Sequence, residues 1–349
     1  MARSAAFACL ATAAVLALGC DRVKRETKDR VSSHAASTWT STSDCEALYK
    51  PAPLRSPRIG TWNIRYFPDA REEPQPDAAA ATDVRWLACA IASLEVDILA
   101  VQEFKATPHA LQKQRELVAN LNQLTSGNWR IELASSPPPD VQHPGFLYDA
   151  RRVTAMHLRD IPNLNPLPVC NNEASPGFGA YFRIEGGPDF HLIAVHLPAG
   201  ARKKSVDDRK LSISRMPKAI EEALSLVRDE DLIFTGDFNT SGCEDCDRAL
   251  GADAEMLALG RSVAALKPSL RLLDASESCT WLDDADAFRL DHFIVSQSSK
   301  TVAGRAVANV SGICKETHCK RLRQWHVDAR ERLSDHCPVT LDLAKGDLD

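Results

Sequence analysis

No run of about twenty apolar residues occurs after the first twenty positions, so an internal membrane-spanning helix is excluded. The chain also lacks an excess of positive charge. Its 42 Lys and Arg stand against 47 Asp and Glu, a formal net charge of −5, which argues against affinity for nucleic acid through bulk charge. There is no internal repeat and no linker in the middle, so one main domain is expected in the 349 residues. The remaining composition, 44% hydrophobic and 26% charged, is that of an ordinary globular protein.

What is present begins with a leader. Arg3 precedes the apolar stretch Ala5–Gly19, which reads as a secretory signal. It ends in Ala17-Leu18-Gly19-Cys20, which resembles a bacterial lipobox, with Ala17 where Leu is most usual. The resemblance implies a signal peptide over 1–19, lipid on Cys20 and an exported protein anchored in the cell envelope, on the periplasmic side or the cell surface. Residues 20–57 then read as a flexible tether. They are charged or Ser/Thr-rich and offer too little burial to offset ordering entropy.

Eleven cysteines are present, and nine remain once Cys9 and Cys20 belong to the leader. Export favours disulfides. Nine is odd, and Cys89, in an apolar helical stretch, is expected to be the unpaired one. Cys243-Glu244-Asp245-Cys246 is expected to close on itself or to join Cys279, and Cys314 to join Cys319. A zinc site from the two pairs is the less favoured alternative.

Short apolar runs predict strands at 58–64, 97–101, 129–133, 146–148, 181–184, 191–195, 232–235, 293–295 and 339–343. Helical spacing appears over 84–94, 117–124, 210–228 and 247–266. Alternation of this kind predicts an α/β layered domain over 58–343, followed by a short tail at 344–349. Pro-rich loops at 136–144 and 161–168 interrupt it.

Polar residues stand at the ends of the strongest runs. Asn63 ends RIGTWN, Glu103 ends VDILAVQE, His196 ends FHLIAVH, and Asp237 and Asn239 follow DLIFTG. Strand ends are where open α/β sheets bind ligands. Hard divalent cations want carboxylate and carbonyl oxygens, and phosphate ester hydrolysis needs a group to orient water and groups to neutralise developing charge. Each residue alone has an ordinary explanation as a turn or cap residue. Together they form a set.

GTWNIR, AVQE, AVHL, GDFN, RLDHF and LSDHCPV occur in the order and spacing of the endonuclease/exonuclease/phosphatase superfamily, which the chain resembles over 58–343. The resemblance implies a deoxyribonuclease I-like, four-layered α/β sandwich of two packed mixed β-sheets flanked by helices. It implies a metal-dependent phosphoesterase using Mg²⁺, with Mn²⁺ or Ca²⁺ as alternatives. Glu103 would bind the metal, with Asn63 and Asp335 beside it. Asp237 would orient or deprotonate the attacking water, and Asn239 would hold the phosphate and Asp237 in register. Asp291 would pair with His336 and favour its protonated form, and His196 would meet another phosphate oxygen.

Two departures stand out. Gln142 occupies the place where deoxyribonuclease I carries a glutamate orienting the first histidine, so His196 should be less basic. Residues 175–180, SPGFGA, carry no arginine where the nuclease subfamily places a phosphate contact. A basic segment of Arg202, Lys203, Lys204, Arg209, Lys210 and Arg215 follows His196; Arg209 is a candidate substrate contact, and Asp207 and Asp208 dilute the charge. Trp62, Trp281 and Trp325 read as packing or rim residues. The leading expectation is a monomeric phosphodiesterase acting on nucleic acid. The alternatives are a phosphoesterase for a phospholipid or an inositol or sugar phosphate, and a noncatalytic binding module. No long hydrophobic hairpin of the secreted sphingomyelinase type is present, and the retained acidic and histidine set counts against the noncatalytic reading.

Overall fold

The computed structural model describes residues 36–50, 56–70, 81–136, 138–165, 177–322 and 324–347. The leader, Cys20 and the first part of the expected tether lie outside these residues, as do Cys170 and the Trp325 side chain. In chain order the strands are β1 (Arg58–Phe67), β2 (Ile98–Phe104), β3 (Trp129–Leu133), β4 (His143–Asp149), β5 (Val153–Ile161), β6 (Gly177–Ile184), β7 (Asp189–His196), β8 (Leu232–Asp237), β9 (Leu270–Leu272), β10 (Asp274–Ala275), β11 (Trp281–Leu282), β12 (Ala287–Phe288), β13 (Asp291–Ser296), β14 (Val307–Val310) and β15 (Val339–Asp342). The helices are α1 (Thr42–Leu48), α2 (Val84–Leu94), α3 (Pro108–Thr125), α4 (Lys203–Ser214), α5 (Met216–Leu226), α6 (Ala252–Ala264), α7 (Gly312–Thr317) and α8 (Gln324–Arg332).

Two mixed sheets result. The first runs β10-β14-β15-β1-β2-β4-β3 and the second β5-β6-β7-β8-β13-β9. Their central strands read as unbroken apolar runs because both faces are covered. In β7, Leu192 and Ala194 face the other sheet, while Ile193 and Val195 face α5 and α6. The inter-sheet layer joins Ile98, Ala100 and Phe146 to Phe182, Leu192 and Phe293. Phe146 meets Phe182 edge-on at 5.0 Å between ring centres. Each such buried phenylalanine contributes about 1.5–3 kcal/mol. Beyond the first sheet, Leu87 and Ile91 of α2 and Leu117 and Leu121 of α3 complete that core. Beyond the second sheet, Ile220 and Ala223 of α5 and Leu259 and Val263 of α6 form another. This is the expected four-layered sandwich.

The single helix expected over 210–228 is two helices. Arg215, at φ −96°, ψ −7°, ends α4 and begins α5. Pro217, which has no N–H to give α4, sits in the first turn of α5, where that donor is not needed.

The expected tether is shorter than 20–57, because residues 36–49 dock on the core. Trp86 Nε1 donates to Thr38 O at 2.8 Å, Thr42 Oγ1 donates to Asp83 at 3.0 Å, and Trp39 packs edge-on against Trp62 at 5.8 Å. Cys45 of α1 is joined to Cys89 of α2, so Cys89 is not the free thiol. The other disulfides are Cys243–Cys246, Cys279–Cys319 and Cys314–Cys337. The CxxC therefore closes on itself, one of the two expected outcomes. The Cys314–Cys319 pairing is overturned, because each of these cysteines reaches a partner from elsewhere in the chain. No described helix is long and apolar enough to cross a membrane.

Candidate active site

Strand register assembles the polar residues. β7 and β8 are parallel with His196 opposite Asp237, and β8 and β13 are antiparallel with Asp237 opposite Asp291. One row of the second sheet thus carries His196, Asp237 and Asp291. In the first sheet Asn63 is opposite Gln102, so Glu103 comes next along β2. The ladder slips beyond this point, between Asn63 and Phe67 on β1 and between Val101 and Phe104 on β2. Such bulges re-aim side chains at sheet rims. Glu103 itself has φ +66°. The DHC segment before β15 brings His336 from the other side.

Gly236 explains part of the GDFN signature. Its φ is +138°, and a Cβ there would lie 2.1 Å from Val195 O. Only glycine lets β8 run this close to β7. Asn239 has φ +51°; its backbone N–H donates to Asp237 Oδ1 at 2.8 Å, and its side-chain amide donates to Leu197 O at 2.8 Å. Asn239 therefore fixes Asp237 through its backbone and uses its amide to tie the loop after β7.

Around Asp237 Oδ2 the other groups converge. Asn63 Nδ2 donates to it at 3.1 Å and to Glu103 Oε1 at 2.9 Å. His196 Nε2 and His336 Nε2 each lie 3.7 Å from that same oxygen. His336 Nδ1 is 2.9 Å from Asp291 Oδ2. Glu103 Oε2 accepts the Tyr66 N–H at 2.9 Å. Asp335 is held by Trp281 Nε1 at 3.2 Å, with Arg65 Nε at 4.0 Å.

Burial and charge set the protonation states. Burial pushes Glu103 up from the ordinary carboxylate value, against the Asn63 hydrogen bond. Burial also pushes Asp237 up to about 6, with His336 opposing and Asp291 adding to the rise. His196 is pushed down by burial, the direction expected for it. Burial works the same way on His336, but the charges of Asp291 and Asp237 outweigh it and raise His336 to about 10.

A divalent cation fits the Glu103 side of this cluster. Asn63 Oδ1 is buried without a hydrogen-bond partner among the described residues, an oxygen donor available to a cation. The Asp335 charge also acts on Glu103, so two carboxylates there gain by neutralisation. Asp237, Asp291 and His336 also lie close enough to hold a metal ion. Binding there would displace the 2.9 Å His336–Asp291 hydrogen bond, so Glu103, Asn63 and Asp335 are the better donor set.

Gln142 lines the same cleft as Glu103 and His196. Arg209 does not reach the cluster. It is 1% exposed, paired with both oxygens of Glu255 at 2.8 and 2.9 Å, and donates to the carbonyls of Pro198, Gly200 and Gly242. Its role is to pin the loop after β7 from beneath, and the expected substrate contact is withdrawn. Trp62 is buried packing, with Nε1 donating to His336 O at 2.9 Å.

Sequence reasoning passed over two positioning residues. Ser334 Oγ donates to Asn63 O at 2.7 Å and accepts the His336 N–H at 3.1 Å, so one hydroxyl joins both halves of the site. Thr280 Oγ1 accepts the Asp291 N–H at 2.9 Å. Ser334 stands directly before Asp335 in the LSDHCPV motif, a signal within reach. Thr280 had none.

The chain matches the Endonuclease/Exonuclease/phosphatase family over residues 60–336. It belongs to that family. Members of the family are phosphoesterases, and the matched span runs from β1 to His336. Solved structures agree on the fold. An endonuclease/exonuclease/phosphatase from Bacteroides vulgatus superposes with a TM-score of 0.55 at 16% identity, covering 83% of this chain and 99% of that one. The Bacteroides thetaiotaomicron mannosyl-6-phosphatase Bt3783 gives 0.52 at 17%, covering 83% and 100%. The D. rerio TDP2 complexed with single strand DNA product gives 0.52 at 17%, covering 83% and 99%. At these identities the likeness is one of fold. No curated protein matches the chain at the sequence level.

Proposed function

We propose that the protein is a divalent-metal-dependent phosphodiesterase whose substrate is nucleic acid. The observation that carries the hydrolytic reading is the convergence on Asp237 Oδ2 of Asn63 at 3.1 Å and of both histidines at 3.7 Å. A buried carboxylate at about 6 is suited to align a water and take its proton. His336, kept charged by Asp291, meets negative charge that develops as the phosphorus becomes pentacoordinate. His196, kept neutral, offers a second contact to a phosphoryl oxygen. Glu103, with Asn63 and Asp335, would hold Mg²⁺, Mn²⁺ or Ca²⁺, which neutralises phosphate charge and polarises the P–O bonds. The DNA product in the TDP2 structure supports nucleic acid as the substrate class.

A sugar phosphate is the second reading. Lys203 and Lys204 are paired with Asp207 and Asp208, Lys210 also faces Asp207, and Arg209 is buried, so the basic segment offers less to a long polyanion than its sequence suggests. One structural neighbour is a mannosyl-6-phosphatase.

We further propose export with a lipid anchor on Cys20 and action as a monomer. The lipobox-like end of the leader supports the anchor, and the four disulfides among the described residues suit an oxidising compartment. Mass spectrometry of the mature N-terminus tests this; an unmodified start at any other residue contradicts it.

The deciding experiment is a panel of DNA, RNA, phospholipid, sugar phosphates and bis(p-nitrophenyl) phosphate with each cation and with chelator. Hydrolysis that needs the cation, and is partly rescued by excess metal in Glu103→Gln, is the expected result. No hydrolysis of any phosphoester with any of the ions would overturn the proposal.

A further inference from the structure

A cleft of about 380 Å³ opens beside the catalytic cluster, lined by Glu103 and His196 and by Tyr66, Gln142, Arg202 and Lys204. Charge is distributed unevenly along it. The cluster end is crowded with the carboxylates of Glu103, Asp237, Asp291 and Asp335, against which His336 is the one histidine raised. A second anion has no place there. Lys204 is largely neutralised, with its ammonium 3.0 Å from Asp208. Arg202 is exposed, and its side chain makes no hydrogen bond or ion pair among the described residues.

The loop that carries Arg202 is fastened nearly residue by residue. Leu197 N donates to Asp237 O at 2.9 Å, and Leu197 O accepts the Asn239 amide at 2.8 Å. Arg209 Nη1 holds Pro198 O at 3.0 Å and Gly200 O at 2.8 Å. Ala201 O accepts the Glu244 N–H at 2.7 Å, and Lys203 N donates to Asp245. Glu244 and Asp245 lie inside the ring closed by the Cys243–Cys246 disulfide. Such a loop loses little freedom when a ligand binds. A guanidinium with no hydrogen bond or ion pair among the described residues, on a fixed loop that lines the cleft, is matched to bidentate pairing with a phosphate.

We propose that Arg202 binds a second phosphate of the substrate, adjacent to the one cleaved, on the Glu103–His196 side of the site. The inference rests on the phosphoesterase reading and sharpens it. The preferred substrate carries at least two phosphates in series, and a lone phosphomonoester leaves Arg202 unused. The second phosphate comes from a nucleic-acid strand or from a small bisphosphorylated molecule.

The test compares hydrolysis of the dinucleotide TpT, the same dinucleotide with a terminal phosphate at its 5′ or 3′ end, and a single-stranded decanucleotide, by the metal-loaded protein and by Arg202→Ala and Arg202→Lys. Arg202→Ala should raise KM for one phosphorylated dinucleotide by about ten- to a hundredfold, the worth of one charge-assisted contact, and leave TpT unchanged. Arg202→Lys should recover part of the loss. Thermal unfolding should be unchanged, because the side chain makes no hydrogen bond or ion pair among the described residues. A decanucleotide preferred over both phosphorylated dinucleotides, with that preference lost in Arg202→Ala, identifies a strand as the source. Equal use identifies a small molecule. Should none of these be cleaved, the phosphodiesterase reading fails on this class, and calorimetric binding of the same dinucleotides to the Mg²⁺-loaded protein still decides Arg202. Tighter binding of the phosphorylated form only when Arg202 is present upholds the inference. Loss on Arg202→Ala that is equal for TpT and its phosphorylated forms, or absent for both, overturns it.

Discussion

His196 and His336 occupy the same cavity, each 3.7 Å from the same oxygen of Asp237 and nearly equally buried. Burial presses both toward the neutral form. Yet His196 is lowered, and His336 is raised to about 10. The difference is Asp291, 2.9 Å from His336 Nδ1, itself buried and positioned by Thr280. Among the described residues no carboxylate is hydrogen-bonded to His196 Nδ1, and Glu103 lies 3.6 Å from its Nε2. A single buried partner therefore decides which ring carries charge, and environments that push two like groups apart assign their roles. His336 is the fixed cation and His196 the neutral contact.

The largest effect should come from the group both rings face. Asp237→Asn keeps the shape and loses the acceptor that aligns the water, so turnover should fall by about 10³–10⁴ while circular dichroism stays native. Near wild-type turnover in that folded variant would dissolve the comparison at its centre. The next effect separates the rings. His336→Ala should cost about 10³ in rate and His196→Ala about 10², the upper and lower ends for one transition-state contact. Equal losses, measured as kcat on the best substrate, would mean that charge does not distinguish them.

A pH profile sharpens the contrast. Asp237 must be ionised, so activity should rise as pH increases through a value at or below about 6, a bound cation pulling it lower. His336 must be charged, so activity should hold above neutrality and fall as pH rises toward about 10, again no higher because a cation disfavours the second positive charge. Asp291→Asn should move the alkaline limb down by removing what holds His336 up, and lower the acid limb by less, because the Asp291 charge also raises Asp237. An unmoved alkaline limb contradicts the assignment. The smallest catalytic effect belongs to a distant region. Replacing Cys45 and Cys89 together with alanine should lower stability by about 2–4 kcal/mol, read from denaturant unfolding, with kcat unchanged.

Most of the site could be read from the sequence because strand ends and short motifs are local. Asn63, Glu103, His196, Asp237, Asp291 and His336 come within hydrogen-bonding or ion-pair distance of one another. The fold was legible for the same reason, since central strands covered on both faces announce themselves as apolar runs. β5 was missed because it is a bulged strand at the edge of its sheet, with only its two end residues fully buried. Errors arose where an outcome depends on distant chain segments meeting. Cys89 looked like core filler until α1 docked on α2. Cys314 and Cys319 are close in sequence, yet α7 sends one to Cys337 and the other to Cys279. Arg209 read as a candidate substrate contact within a basic segment, and only tertiary structure shows Glu255 closing over it.

The most direct measurement is an NMR titration of the imidazole rings in metal-free protein, assigned with His196→Gln and His336→Gln. The account predicts that the His336 ring stays protonated through pH 9, whereas the His196 ring titrates below the value of an ordinary histidine, about 6.5. Both rings titrating together near that ordinary value would contradict it.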